Sequence, residues 1–362
     1  MNSQTTSQLV YTPLPTREGQ GGGSDLRIIF MGTPDFAVAS LRALVENSYN
    51  VVAVVTMPDK AVGRHHDTLQ ASPVKEYAVG QGIPVLQPEK LKDETFLAEL
   101  SAFHADLQVV VAFRMLPEVV WNMPPMGTFN LHAALLPQYR GAAPINWAVI
   151  NGDTQTGVTT FFLDHDIDTG RIIHRVPVPI ADTDTAGDVH DHLMTVGAEL
   201  VLQTVRDIEA GNINAVAQEE LCQGLGDETP LRPAPKIFKE TCRIPWNRLS
   251  MKQAYDFIRG LSPYPAAWTT LRTSDGKEQV LKIYASEKEV CTADVPEQAS
   301  PETAELPLLS DGRTFLKVAL PGGYLRLTTI QLAGKKRMPV ADFLRGAHID
   351  GAVLVVQGNE PV

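Results

Sequence analysis

The run Leu26–Val55 constrains this chain most. Arg27-Ile28-Ile29-Phe30-Met31 is a short apolar, β-rich segment closed by Gly32, and Thr33-Pro34-Asp35 then offers an N-cap residue, a proline at the first helical position and an acid in the first turn. Ala37, Leu41, Leu44 and Val45 share one helical face, and Val51-Val52-Ala53-Val54-Val55 returns as a second buried strand. Further strands are expected at Leu107–Phe113 and Thr128–His132, with helical stretches between them. Such an alternation closes into one sheet through right-handed crossovers. The expected fold is α/β, a Rossmann-like, doubly wound, mostly parallel sheet.

The rest of the chain divides around it. Residues 1–24 are polar and end in a Gly-rich run, the composition of a disordered extension. Two β segments, Gly157–Leu163 and Arg171–Pro179, and a long helix, Thr185–Ala210, stopped at Gly211, complete a first domain over 25–221. Glycines and prolines without periodicity mark 222–235 as a linker. From Lys236 to Val362, one helix (Ser250–Arg259) and short β runs such as Val280–Tyr284, Thr314–Ala319 and Tyr324–Ile330 have the texture of a small OB-like β-barrel, with Ala293–Pro307 as an exposed loop.

Composition removes several classes of protein. With 44% hydrophobic and 20% charged residues the chain can bury a core, which excludes a disordered polymer or a fibre. Its longest apolar run is strand-sized, so no membrane partner is expected. Three scattered cysteines form neither a disulfide framework nor a metal knuckle, pointing to a reducing cytoplasm and no metal. The net charge of -11 argues against a nucleic-acid partner only on average: residues 1–231 hold 13 Lys/Arg against 28 Asp/Glu, residues 232–362 hold 18 against 14. The basic C-terminal third is therefore expected to meet a different partner from the acidic remainder.

A dinucleotide site fails on the first turn. Gly32-Thr33-Pro34-Asp35-Phe36-Ala37 is not G-x-G-x-x-G and lacks the glycine that lets a backbone approach a pyrophosphate. Chemistry concentrates instead between Gly127 and Gly170. Asn130 and His132, two apart at the C-terminal end of a parallel strand, leave the same face, where open α/β sheets place their ligand crevice. A small-residue loop, Ala133–Pro144, follows. Asp164, Asp166 and Asp168 crowd an acidic turn further on, and spacing alone does not choose among them.

These residues carry a resemblance. Asn130-Leu131-His132, Leu135-Leu136-Pro137-Gln138-Tyr139-Arg140-Gly141-Ala142-Ala143-Pro144 and Ile167-Asp168-Thr169-Gly170 are similar to the signature of the folate-dependent formyltransferases. Gly32–Ala37, Ser72-Pro73-Val74-Lys75, Lys236-Ile237-Phe238-Lys239-Glu240, Ile258–Ala266 and Gly334–Met338 extend the likeness to the branch that formylates methionyl-tRNA. The resemblance implies transfer of the formyl group of 10-formyltetrahydrofolate to the α-amino group of methionyl initiator tRNA for translation initiation, by a monomer. It implies catalysis by Asn130, His132 and Asp168, the last selected by its interval from His132. It further implies folate contacts from Phe113, Met115, Leu116, Ala134, Leu135, Leu136 and Pro137, and tRNA contacts from Arg64 and from Lys335, Lys336 and Arg337. Two departures stand out: Ala134 replaces a common serine, and the loop around Arg64 is less lysine-rich than in relatives. Arg114, often uncharged in relatives, has no assigned role. Glycinamide ribonucleotide formyltransferase shares the catalytic residues but is a shorter single domain with a glycine-rich phosphate loop. Nucleotide-sugar formyltransferases share more of the length. A tRNA-binding module with an inactive core is opposed by the intact Asn130, His132 and Asp168.

Overall fold

The computed structural model describes residues 25–62, 68–223, 230–290, 304–347 and 349–356; the expected extension at 1–24 and Arg64 lie outside the described residues. In chain order the first part runs β1 (Arg27–Gly32), α1 (Asp35–Glu46), β2 (Asn50–Val55), β3 (Lys60–Val62), β4 (Thr68–Gln70), α2 (Pro73–Gly80), β5 (Val85–Leu86), α3 (Glu94–Ala102), β6 (Leu107–Val111), α4 (Glu118–Trp121), β7 (Thr128–His132), α5 (Pro144–Ile150), β8 (Gln155–Phe162), β9 (Ile172–Pro179), α6 (Ala186–Glu209) and α7 (Gln218–Gln223). A seven-stranded sheet takes the order β5-β2-β1-β6-β7-β8-β9. The first five strands are parallel, β8 pairs antiparallel with β7, and β9 pairs antiparallel with β8.

Strand periodicity feeds both faces of that sheet. Ile28 and Phe30 pack with α1 and α6 on one side, while Ile29 and Met31 pack with Phe96 and Leu100 of α3 and Val120 of α4 on the other. All four β1 side chains are fully buried, which accounts for a continuous apolar run where a half-exposed strand would alternate. The chain proceeds from β1 outward to β2 and β5, then returns to place β6 on β1's other side. That reversal between β1 and β6 is where such sheets open a ligand crevice.

Helix ends follow their side chains. Thr185 caps α6 in a capping box with Asp188, whose carboxyl the Thr185 hydroxyl and N–H hold below the usual carboxylate range. Ser250 closes a second capping box with Gln253. At α1 the structure differs from expectation. Pro34, not Thr33, occupies the N-cap position, no side chain caps the helix, and the buried Thr33 hydroxyl has no hydrogen-bond partner among the described residues. The first turn of α1 opens instead onto a cavity, described below.

The second part contains α8 (Met251–Gly260), β10 (Ala267–Arg272), β11 (Glu278–Val290), β12 (Glu305–Ser310), β13 (Leu316–Leu320), β14 (Gly323–Leu332), β15 (Met338–Pro339), α9 (Val340–Leu344) and β16 (Val353–Val355). Strands β11, β10, β16, β12, β13 and β14 pair in that order and β14 pairs back with β11, closing an antiparallel barrel with its own core. The expected loop 293–307 ends earlier than anticipated, because Glu305–Pro307 pair with β16 and Leu306 is fully buried. Trp246, also fully buried, donates its indole N–H to Thr269 at 2.9 Å, joining the connector to the barrel.

The two parts meet along α8. Arg259 and Asp256, 6% and 2% exposed, form an ion pair at 2.8 Å. Arg259 also donates to the carbonyl of Asp184 at 2.8 Å, and the Tyr255 hydroxyl donates to that of Asp182 at 3.0 Å. Asn146 on α5 donates to the carbonyl of Gly260 at 2.8 Å. The segment read as a linker is not a passive tether: Ala234, fully buried, bridges to Gly141 in parallel sense.

Candidate active site

A cavity of about 680 Å³ opens over the C-terminal ends of β1, β6 and β7. Pro34 and Phe36 bound it on one side, Ala112–Leu116 on the second, Asn130–Ala133 below, and Gly141–Asn146 with Leu163–Asp168 on the far wall. Asn130 and His132 both line it, as their two-residue spacing on β7 requires.

His132 is held from two sides. One ring nitrogen, Nε2, lies 2.8 Å from the carbonyl oxygen of Tyr139. A carbonyl only accepts, so Nε2 carries a proton and donates it, and that bond fixes the ring orientation. The other nitrogen, Nδ1, faces the Asp168 carboxylate at 3.8 Å, with both side chains largely buried. Asp168 in turn accepts a hydrogen bond from the Gly141 N–H at 2.9 Å. The three carboxylates that sequence spacing left open are separated by burial: Asp164 and Asp166 are exposed, and only the Asp168 side chain is drawn inward to His132. Its backbone sits at φ +56°, a left-handed conformation uncommon outside glycine and a marker of a turn held by its surroundings.

Those surroundings come from distant parts of the chain. Tyr139 itself adopts φ +60°, and its N–H donates to the Arg232 carbonyl at 2.7 Å. The Tyr139 hydroxyl donates to Asp153 at 2.6 Å, and Arg232 pairs with the same carboxylate at 2.7 Å. Burial, reinforced by Asp153, pushes the Tyr139 phenol above its usual range, so it stays a donor. Gly141 is required: at φ +127° any Cβ there would lie 2.4 Å from the Ala234 carbonyl oxygen, which itself accepts from the N–H of Ala142 at 2.7 Å and of Ala143 at 3.2 Å.

Of the expected folate contacts, Phe113, Met115 and Leu116 line the cavity, Met115 at its exposed rim. Ala134, Leu135, Leu136 and Pro137 do not. Ala134 and Leu136 are fully buried behind the wall, where the Ala134 carbonyl accepts from the Thr159 hydroxyl at 2.6 Å and the Leu136 N–H donates to it at 3.1 Å. The backbone in this stretch is tied to β8, so these residues brace the wall and Gly141–Asn146 supply the lining instead. At Ala134 the Thr159 hydroxyl occupies the polar neighbourhood. Arg114, itself part of the lining, is anchored to the segment before α3: it donates to the Glu89 carbonyl at 2.8 Å and stacks 5.7 Å from the Phe113 ring, fixing the 113–116 segment. Burial lowers its guanidinium.

The motif Ser72–Lys75 is a brace too. Ser72 caps α2 and exchanges a hydrogen bond with Thr56 at 2.8 Å, while Lys75 pairs with Asp59 at 2.6 Å at the foot of the β3–β4 hairpin. Lys335, Lys336 and Arg337 are exposed on the turn after β14; Arg337 stacks 4.3 Å from Tyr284, and the two lysines have no ion pair among the described residues. No group of three or more His, Cys, Asp or Glu side chains is placed to hold a metal among the described residues, and no described helix is long and apolar enough to cross a membrane.

Chemically, the arrangement offers a neutral amide donor (Asn130), an imidazole with one nitrogen committed and one available (His132), and a carboxylate within reach of that available nitrogen (Asp168). This set can polarise a carbonyl oxygen, stabilise the negative charge that forms on it and move a proton. Comparison with known proteins bears on which reaction that is. Residues 26–205 match the family model described as formyl transferase, and residues 236–348 match that of the formyl transferase C-terminal domain. A methionyl-tRNA formyltransferase of Parabacteroides distasonis is 62% identical over 322 residues, covering 89% of this chain and 96% of that one. One from Phocaeicola vulgatus is 65% identical over the same shares. Among solved structures, WlaRD, a sugar 3N-formyl transferase, superposes with TM-score 0.58 at 17% identity over 87% of this chain and all of its own. HypX from Aquifex aeolicus, solved with tetrahydrofolic acid, superposes with TM-score 0.56 at 17% identity over 89% of this chain and 47% of that one.

Proposed function

The chain belongs to the formyl transferase family, in its methionyl-tRNA formyltransferase branch, and from that membership we propose how its own residues move a formyl group from 10-formyltetrahydrofolate to the α-amino group of methionyl initiator tRNA. The observation that carries the proposal is the pairing of His132 Nδ1 with Asp168 at 3.8 Å inside the cavity, beside Asn130 on the same strand face.

A folate fits the lining. Val110, Phe113, Met115, Leu116, Trp121 and Leu163 give apolar surface for a flat ring, and the strand-end backbone at 112–116 offers donors and acceptors to its edge. When bound, the folate supplies a formyl carbon on a nitrogen leaving group. Asn130 donates its side-chain N–H to the formyl oxygen. As the amine nitrogen bonds to the formyl carbon, the carbonyl electron pair moves onto that oxygen, and Asn130 and protonated His132 stabilise the charge. Because Nε2 is held by Tyr139, proton traffic runs through Nδ1, in the gap shared with Asp168. The carboxylate accepts the proton the amine loses, directly or through one water. His132 returns a proton to the departing nitrogen as the carbon–nitrogen bond breaks, so charge and protons balance.

The tRNA is assigned to the basic second part, with Lys335, Lys336 and Arg337 on phosphate and Arg64 near the acceptor end. We place the enzyme in the cytoplasm, as a monomer, with boundaries near 25–221 and 236–362. The test is an acceptor comparison. Given 10-formyltetrahydrofolate, the protein should formylate methionyl initiator tRNA and leave a dTDP-aminosugar untouched; formylation of the sugar at an equal rate would overturn the acceptor assignment. Substituting Gln for Lys335, Lys336 and Arg337 together should flatten the dependence of log affinity for tRNA on log salt by about 2–3, since each phosphate contact contributes roughly 0.7–0.9. An unchanged slope would remove this turn from the tRNA surface.

A further inference from the structure

We infer that Gln218 is a positioning residue of the formyl-transfer centre: its side-chain amide fixes the turn that presents the Asp168 carboxylate to His132. The inference rests on the roles just proposed for those two residues.

Gln218 opens α7, 50 positions along the chain from Asp168, and is fully buried. Its amide nitrogen donates to the backbone carbonyls of Asp168 at 2.8 Å and Gly170 at 2.9 Å. Its amide oxygen accepts from Arg140 Nη2 at 2.6 Å and Nε at 3.1 Å. The group thus uses both N–H bonds and both lone pairs, its entire capacity. What it joins matters more than how fully. On the donor side lies the turn that holds Asp168 at φ +56°. On the acceptor side lies Arg140, one residue before Gly141, whose N–H holds the Asp168 carboxylate at 2.9 Å. One side chain therefore clamps the backbone of Asp168 and the loop that orients its carboxylate.

Asp168 needs that clamp. A left-handed aspartate costs free energy and persists where neighbours over-determine it. Gly170 cannot supply the slack, because a Cβ there would lie 1.7 Å from the Phe162 carbonyl oxygen, so the turn is pressed against β8 on its other side. Removing the two donors leaves two carbonyls short of partners and frees the turn to move away from His132. None of the four hydrogen bonds touches the apolar wall at Phe113–Leu116, so most of the surface offered to the folate ring stays in place while the far wall at 141–146 and 163–168 loosens.

Two near-isosteric substitutions separate positioning from plain stability. Gln218→Glu keeps the size and the oxygen facing Arg140 but sets a second oxygen against two carbonyls. Gln218→Met keeps the length and removes all four bonds. In the full-length protein with saturating methionyl initiator tRNA and 10-formyltetrahydrofolate, each folded variant should lose kcat by about 100-fold, the effect of an ångström-scale misplacement. KM for both substrates should stay within about threefold, judged against that same 100-fold scale. If Gln218→Glu does not fold, Gln218→Met carries the test. A folded variant with wild-type kcat, or one whose loss falls on KM with kcat intact, overturns the inference. His132→Gln run alongside separates the two levels of claim. Inactive His132→Gln beside active Gln218 variants removes the clamp alone, whereas activity in both removes the site assignment with it.

Discussion

His132→Ala should lower turnover by about 10²–10⁴-fold, the range over which positioned acid–base groups act, while tetrahydrofolate binds as before. The separation follows from where the ring sits. His132 stands at the floor of the cavity, with Nε2 spent on the Tyr139 carbonyl and Nδ1 turned to Asp168, whereas Phe113, Met115 and Leu116 form a wall from a different strand end. On the proposed mechanism, removing the imidazole takes away the group that steadies the oxyanion and returns a proton to the leaving nitrogen, and leaves the apolar wall intact. Equilibrium binding of tetrahydrofolate and steady-state kcat, measured on the same preparation, check both halves. Retained turnover would end the assignment of His132.

Asp256→Ala should destabilise the protein by about 3–5 kcal/mol, since it strips the partner from a buried charge. Asp256 is 2% exposed and Arg259 6%, and the guanidinium lies between the Asp256 carboxylate and the carbonyl of Asp184. Without the carboxylate, Arg259 stays buried with the carbonyls of Ala181 and Asp184 and the face of the Tyr255 ring, none of which carries a compensating charge. The first unfolding transition in urea should move to lower concentration. Replacing the pair together, Asp256→Leu with Arg259→Met, should recover most of the loss, because apolar side chains of similar volume need no partner. A loss under about 1 kcal/mol in the single variant would mean that water reaches the pair. The same contact sets the second part against the first, so the single variant should also raise KM for methionyl-tRNA more than for folate.

Much of this architecture was legible in the sequence because it is written in local periodicity. Ile28 to Met31 feed both faces of the sheet, Thr185 and Ser250 cap their helices, and Asn130 and His132 share a strand face; each depends on residues within one or two turns of chain. Other features were not legible for the converse reason. Gln218 reaches Asp168 across 50 positions, the Ala234 carbonyl takes the Ala142 N–H from the far side of a segment that reads as linker, and His132 is oriented by a backbone carbonyl, which no residue type announces. Ala134–Pro137 show a third case. Their motif is recognisable, but whether a buried loop lines a cavity or braces it depends on the packing of β8, and here Thr159 draws the backbone inward. At α1, Thr33 has the composition of a cap without its geometry, because the helix begins over an open cavity.

Asp168 and His132 are proposed to perform the proton handling of formyl transfer. The most direct test of that role is a single-turnover experiment, with enzyme in excess over methionyl initiator tRNA and radiolabelled 10-formyltetrahydrofolate, on the wild type and on Asp168→Asn. The substitution preserves shape and removes the charge. Formyl-methionyl-tRNA should form in the wild type and at least about 100-fold more slowly in the variant, with the same tRNA dissociation constant. Formation at equal rates in the two proteins would contradict the account.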